Sequence, residues 1–441
     1  MEESVMSKQP SHVIPVFDLV LCLSQAVDLV SPLVADHHKR TAQIAYGLGM
    51  QMKLSQTELH DLIIAAALHD VGGLTRKDRL VALDFEYQDP YGHSVMGYLL
   101  LDSFPPFHFP ARIVRFHHVP WMNGEGANFD GLPVSRASHL LQLADRVAVL
   151  IDTNTDVLEQ VNGIVEKIRA QSGERFVPEQ VDALEALAEK EAFWLDAVYL
   201  QQINVLSRRL KWEELRISAD EFLGLTNLFR RIIDFRSQFT ASHSAGVAAV
   251  AEILAKASGF SPADCRVIHL SGLMHDLGKL AVPAEVLEKP GKLTREEFAL
   301  IRRHTYYTFH LLEPLKVLDV IRVWASFHHE RMDGHGYPFH LDENELPLGS
   351  RIVSVADIFT ALTEDRPYRA GMTCAIAVEI LSDAISQHRL DRRVVETLYN
   401  HLDEVNEARR AAQASALEEY HKFIASAQEL TVRSEDALYS G

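Results

Sequence analysis

Cysteine is scarce. Cys22, Cys265 and Cys374 are the only three among 441 residues, and no two stand in a paired spacing. That excludes a zinc ribbon and a disulfide framework, and it fits a reducing compartment. An uninterrupted apolar run is missing as well. The stretch 13–34 is broken by Asp18 and Asp28, so it is a poor membrane span, and it has neither the basic start nor the small-residue cleavage site of a signal peptide. Positive charge is in deficit: 43 Lys and Arg against 61 Asp and Glu leave a net charge of −18. A polymeric nucleic acid, which needs a broad basic surface, is therefore not an expected partner. A small phosphorylated ligand is not excluded, because cations and a few arginines can neutralise two phosphates locally. The expectation is a cytoplasmic protein with no membrane partner.

Strand-like alternation is also sparse. Apolar residues make up 47% and charged residues 24%, ordinary globular values. From His12 onward, apolar positions recur at helical spacing, as in Leu59, Ile63, Ala66 and Ala67, or Ile253, Leu254 and Ala257. Pro and Gly cluster near 104–110, 120–133, 283–291 and 333–349, which predicts loops between helices. The fold class expected is all-α.

A repeat organises the chain. His37 precedes His243 by 206 residues, and His69-Asp70 precedes His275-Asp276 by the same 206. His93 and His304, and His117-His118 and His328-His329, are 211 apart, and Asp145 and Asp357 are 212 apart. Asp28 and Asp234 each stand nine residues before the first histidine of their half. Ordered matches whose offset shifts only between motifs indicate a duplicated unit with loops of different length. Between the halves, 152–215 is charged, rich in Ala, Glu and Leu, and helical in period, which predicts a connecting segment. The tail from about 403 is again charged and helical, with fraying expected after about 430.

In the second half, His243, His275, Asp276, His304, His328, His329 and Asp357 supply the nitrogen and oxygen donors that first-row transition metals favour. A carboxylate next to a histidine can bridge two cations while the imidazole binds one. Two such cations acidify a water and clamp phosphate oxygens. A lone His-Asp pair would more often be a helix cap or a satisfied core histidine; the ordered set around this one argues for metal. Lys279, three residues past Asp276, can face the same pocket and serve a phosphate or a leaving oxygen, or can be a surface lysine at a helix end. Residues 333–338 form either a functional loop or a plain turn. Arg366 and Arg369 suit bidentate phosphate recognition, or pair with a local acid such as Glu364 or Asp365.

The runs His275 to Lys279, Lys289 to Leu293, His328 to Pro338 and Asp357 to Arg369 resemble the HD-GYP domain, the HD-superfamily phosphodiesterases that hydrolyse cyclic di-GMP. The resemblance covers about 230–400. It implies two tandem HD-superfamily helical domains: a degenerate HD-like domain at 1–151, a connecting segment at 152–215, and an HD-GYP domain with a helical tail at 216–441. It implies a metal-dependent enzyme that opens the 3′–5′ phosphodiester of cyclic di-GMP or 3′3′-cyclic GMP-AMP to the linear dinucleotide. Rival readings are a cyclic-dinucleotide sensor with little turnover and a broad nucleotide phosphohydrolase. By motif, the metal ligands are His243, His275, Asp276, His304, His328, His329 and Asp357. Asp276 and Lys279 are the catalytic residues, and Tyr337, Arg366 and Arg369 hold substrate. Iron or manganese is the family's usual metal. Members with three metals carry a Glu four residues before the first histidine; Phe239 stands there, so two metals are expected. His335 takes the place of a usual small residue and is expected to shape the loop.

The first half keeps the ligand types at His37, His69, Asp70, His93, His117, His118 and Asp145 but not the rest. Gly73 stands where Lys279 would, 119–126 lacks the signature loop, and Asn154 and Val157 fall at the arginine positions. A structural or dimerising half is the favoured reading, ahead of a metal-bound regulatory half and an active phosphohydrolase. Cyclic-dinucleotide synthases are partners by family habit alone. The preference between the two cyclic dinucleotides is not readable from these residues.

Overall fold

The computed structural model describes residues 12–29, 36–73, 91–199, 206, 210, 212, 214–217, 219–234, 238–287, 289, 291–365 and 370–439. A strand β1 (His12–Pro15) leads into α1 (Val16–Asp28), α2 (His37–Gln51), α3 (Gln56–Leu68), α4 (Tyr91–Asp102) and α5 (His108–Arg115). A two-residue hairpin, β2 (Asn128–Phe129) and β3 (Leu132–Pro133), precedes α6 (Arg136–Leu150). Then come α7 (Val157–Arg169), α8 (Pro178–Ala188), α9 (Glu191–Val198) and β4 (Glu214–Ile217). The second half runs α10 (Ala219–Asp234), α11 (Gln238–Ala257), α12 (Pro262–Met274), α13 (Ala284–Leu287), α14 (Arg295–Leu312), α15 (Asp319–Ser326), α16 (Leu348–Thr363), α17 (Cys374–Ser386), α18 (Arg392–Asn400) and α19 (Leu402–Tyr439). The protein is predominantly helical, as the periodicity predicts. The helical reading from His12 fails only locally, because β1 pairs antiparallel with β4, His12 opposite Ile217.

The duplication is visible down to the caps. Ser55 caps α3 in a capping box with Glu58, and Ser261, 206 residues on, caps α12 by accepting from the Asp264 N–H. Both helices are 13 residues long, so each delivers its His-Asp pair at the same point, where the helix ends.

The apolar stretch at the start of the chain is a core helix. Phe17, Leu19, Leu23 and Val27 of α1 are buried, and Cys22 Sγ donates to the Leu311 carbonyl of α14 at 2.9 Å. One contiguous apolar core thus includes Leu23, Leu62 and Phe104 of the first half and Phe229, Leu273 and Leu312 of the second. Helices α8 and α9 fold back onto α2, and Trp194 of α9 is fully buried. The tail stays helical to Tyr439 rather than fraying near 430. At 38 residues α19 is about 57 Å long. It lies along α11, packs on α4, and is held by Arg230 and Arg231 on Glu419 and by Arg433 on Asp130. Among the described residues no helix is long and apolar enough to cross a membrane.

Candidate metal centre

In the second half, five elements converge on one buried point. Helix α12 ends at Met274 and leaves His275 as its C-cap, where the ring Nδ1 donates to the Gly272 carbonyl at 2.7 Å. His304 of α14 and His328, just past α15, do the same with the carbonyls of Ile301 and Ala325, each at 2.6 Å. A histidine that donates Nδ1–H to a carbonyl three residues back is fixed in one tautomer, with Nε2 left as the ligand atom. The chain then turns sharply at Gly278. A Cβ there would lie 1.9 Å from the His304 carbonyl oxygen, so only glycine allows the His-Asp turn to rest on α14. Thr308, one turn beyond His304, locks this contact by accepting from Gly278 N–H at 2.9 Å and donating to the His275 carbonyl at 3.2 Å.

The result is two triads of candidate ligands, His243 with His275 and Asp276, and His304 with His328 and His329, the donor atoms of each within 4.8 Å of one another. Asp276 stands between them: Oδ2 is 3.1 Å from His275 Nε2 and Oδ1 is 3.5 Å from His304 Nε2. Asp357 closes the other side, 3.1 Å from His243 Nε2, 3.9 Å from His275 Nε2 and 3.9 Å from His329 Nδ1. His275 Nε2 and Asp276 Oδ1 are buried with no hydrogen-bond partner among the described residues. An orphaned nitrogen and carboxylate oxygen at the centre of such a cluster fit divalent ions of the first transition row. Seven ligand positions expected from the sequence are therefore brought together.

Burial holds His304 neutral, with a pKa lowered to about 3, and pushes His328 well below its ordinary value, so both rings present a free lone pair. Burial alone would raise Asp276 and Asp357. The neighbouring His275 ring and the Lys279 ammonium hold Asp276 well below the carboxylate range, and the His243 hydrogen bond does so for Asp357.

One neighbour escapes the motif reading. Glu364 is buried and meets His243 Nδ1 at 3.0 and 3.1 Å, while Gln413 of α19 donates to it at 3.1 Å. The two carboxylates, Glu364 and Asp357, outweigh burial and push His243 up to about 10. Glu364 thus orients the His243 ring toward the centre. Nothing in the sequence distinguishes this residue, seven beyond Asp357, from the exposed Asp365 beside it. Glu364→Ala is expected to weaken metal retention roughly 10–100-fold, the usual cost of losing such a partner. Metal titration of the variant checks this, and unchanged retention would leave Glu364 a merely structural role.

On the substrate side, Lys279 Nζ lies 2.5 Å from Asp276 Oδ2, in the shared pocket that the spacing predicts. The Tyr337 ring lies 5.0 Å from that of His329, tilted by 42°, and the Tyr337 backbone N–H donates to the His329 carbonyl at 3.2 Å. Its loop is stapled from within. Buried Glu330 accepts from the N–H groups of Phe339 and Leu341 at 2.6 and 3.1 Å, and Asp333 accepts from that of His335 at 3.0 Å. The His335 side chain is 80% exposed and, among the described residues, hydrogen-bonds within the loop, to the Asp333 carbonyl at 2.8 Å. Arg366 and Arg369 lie outside the described residues, and so does the side chain of Phe239.

The first half repeats this geometry. His37 Nε2 is 3.1 Å from Asp145, His69 Nε2 is 3.3 Å from Asp70, and His93 Nε2 is 3.5 Å from Asp70 and 3.0 Å from His118. The groups His37, His69, Asp70 and His93, His117, His118 are also disposed to hold ions. Two differences matter. Buried Arg146, where the second half has Ile358, binds Asp145 through Nε and Nη2 at 3.0 and 2.7 Å. His38, where the second half has Ser244, is pinned by Asp28 at 2.5 Å and lies 3.7 Å from Asp70. Part of the positive charge that the two carboxylates demand is thus supplied by the chain itself.

Comparison with known proteins gives the same division. The HD domain family matches residues 34–150 and again 227–394. The 3′3′-cGAMP-specific phosphodiesterase 1 of Vibrio cholerae is 31% identical over 86% of this chain and 89% of its own. The 3′3′-cGAMP-specific phosphodiesterase 3 of the same organism is 29% identical over 84% and 91%. A cyclic di-GMP phosphodiesterase of Pseudomonas aeruginosa is 39% identical over 33% of this chain and 36% of its own. The crystal structure of a cyclic GMP-AMP-specific phosphodiesterase of V. cholerae superposes with a TM-score of 0.61 at 24% identity, covering 89% of this chain and 98% of that one, which is a likeness of fold.

Proposed function

We infer the reaction from family membership: the chain belongs to the HD-superfamily phosphodiesterases, with an HD-GYP-like second half. It is a metal-dependent hydrolase that opens the phosphodiester bond of a cyclic dinucleotide, 3′3′-cyclic GMP-AMP or cyclic di-GMP. The observation that carries this reading is the pair of triads joined through Asp276, with Lys279 beside it.

His243, His275, Asp276, His304, His328, His329 and Asp357 would hold two divalent ions, which we take to be iron or manganese. When bound, such ions supply Lewis acidity, activating a water near neutral pH and offsetting phosphate charge. The chain does the rest. Asp276 offers one oxygen to each triad and so sets their spacing. Lys279 carries a proton on Nζ at the pocket wall, where it can hold a phosphate oxygen or deliver that proton to the departing ribose oxygen. Tyr337 gives the substrate an aromatic wall next to His329, and Arg366 and Arg369 would hold the phosphate oxygens of the substrate. The first half, with Gly73 in place of that lysine, lacks the group that would meet a leaving oxygen, and we assign it no turnover. We place the domain boundaries at 151/152 and 215/216, assign homodimerisation to the first half and the protein to the cytoplasm, and count cyclic-dinucleotide synthases among its partners.

Stripping the protein with a chelator is expected to abolish hydrolysis, and Mn²⁺ or Fe²⁺ should restore it. Turnover that persists at full rate in chelator would contradict metal dependence.

A further inference from the structure

Outside the metal pocket, α14 presents an unusual face. Phe298, Arg302 and Tyr306 are spaced four residues apart, so they line one side of the helix. Phe298 and Tyr306 are 46% and 47% exposed, and Phe339 of the signature loop is 36% exposed. Large aromatic rings left open together mark a binding surface more often than chance exposure. The patch is continuous with the candidate centre. From the ligand His329, ring contacts run to Tyr337 at 5.0 Å and on to Phe298 at 6.4 Å, edge to face. The Arg302 guanidinium sits over the Tyr337 ring at 5.1 Å, and no carboxylate among the described residues pairs with it. Tyr306 meets Phe339 at 6.4 Å on the same side of the molecule.

A cyclic dinucleotide carries two flat purines on a small doubly charged ring. When one phosphate sits at the metal pocket, the bases must lie against something within a few ångströms of it. Stacking on exposed rings accepts any purine. A guanidinium is selective: its fork matches the O6 and N7 acceptors of guanine, whereas adenine places an amino donor where guanine has O6. We propose that Phe298, Arg302 and Tyr306 form a purine-reading shelf, with the two rings stacking on the bases and Arg302 reading one guanine. The shelf rests on the cyclic-dinucleotide reading above and adds a rule to it. Substrates with at least one guanine, cyclic GMP-AMP and cyclic di-GMP alike, are accepted, and cyclic di-AMP is refused.

The test measures Kd by equilibrium dialysis, KM and kcat for these three cyclic dinucleotides, with metal per chain, for the wild type and four variants. Phe298→Ala and Tyr306→Ala should each raise Kd and KM about tenfold. Arg302→Met should lower kcat/KM for the guanine-bearing substrates about 10–100-fold and bring them toward cyclic di-AMP. Arg302→Lys, which keeps the charge and loses the fork, should behave like Arg302→Met. Metal content should not move in any of the four. Unchanged Kd and KM, or full guanine preference in Arg302→Lys, would overturn the shelf. Wild-type protein that binds but does not cleave, with binding weakened in the variants, would instead sink the hydrolysis reading and leave the shelf standing.

Discussion

Replacing His275 and Asp276 together with alanine is expected to cut cyclic-dinucleotide turnover by at least ~10³-fold, the scale of losing the main electrostatic element of a site. The double change removes a candidate ligand from one triad and the carboxylate that faces both, since Asp276 lies 3.1 Å from His275 and 3.5 Å from His304. It also leaves Asp357 near His243 and His329 without the rest of its shell. Elemental analysis should show loss of the metal held by the second half, while anything held near His37, His69 and Asp70 stays. Both side chains are buried, so circular dichroism should accompany the assay to verify that the variant is folded. Activity that survived with the second-half metal gone would move catalysis to the first half.

Lys279→Ala should separate chemistry from metal binding. A lysine ammonium has no lone pair to offer a metal ion, yet its Nζ lies 2.5 Å from Asp276 Oδ2. The His275 ring is held by the Gly272 carbonyl and the turn by Thr308, and neither contact involves the lysine. The variant should therefore keep its metal while kcat falls ~10²–10⁴-fold, the range for removing a general acid. A change in KM alone, with kcat intact, would show that Lys279 only holds substrate. The native Gly73 makes the same comparison in the first half.

The cluster could be anticipated because candidate ligands are written in the sequence as residue types. His275, His304 and His328 could be read as ligands from their order alone, and each has the tautomer-fixing carbonyl three residues back that any helix end or turn supplies. The helical class was equally legible, since α3 and α12 are bounded by serine caps and end at their His-Asp pairs. What escaped was long-range. The Glu364–His243–Gln413 contact joins residues up to 170 apart, and no periodicity announces it. The β1–β4 pairing joins His12 to Ile217 across the whole first half. The charged tail was expected to fray after about 430, but Arg433 on Asp130 and the packing of α19 on α4 keep it helical to Tyr439. The sequence does not announce that Arg146 binds Asp145; the fold does, with Nη2 2.7 Å from Oδ2.

The most direct measurement of the central claim is chromatography of the products formed from 3′3′-cyclic GMP-AMP and cyclic di-GMP, offered side by side to protein loaded with manganese or iron. The account predicts conversion of at least one to its linear dinucleotide by the wild type. Intact cyclic substrates after prolonged incubation, with metal confirmed in the protein, would contradict it.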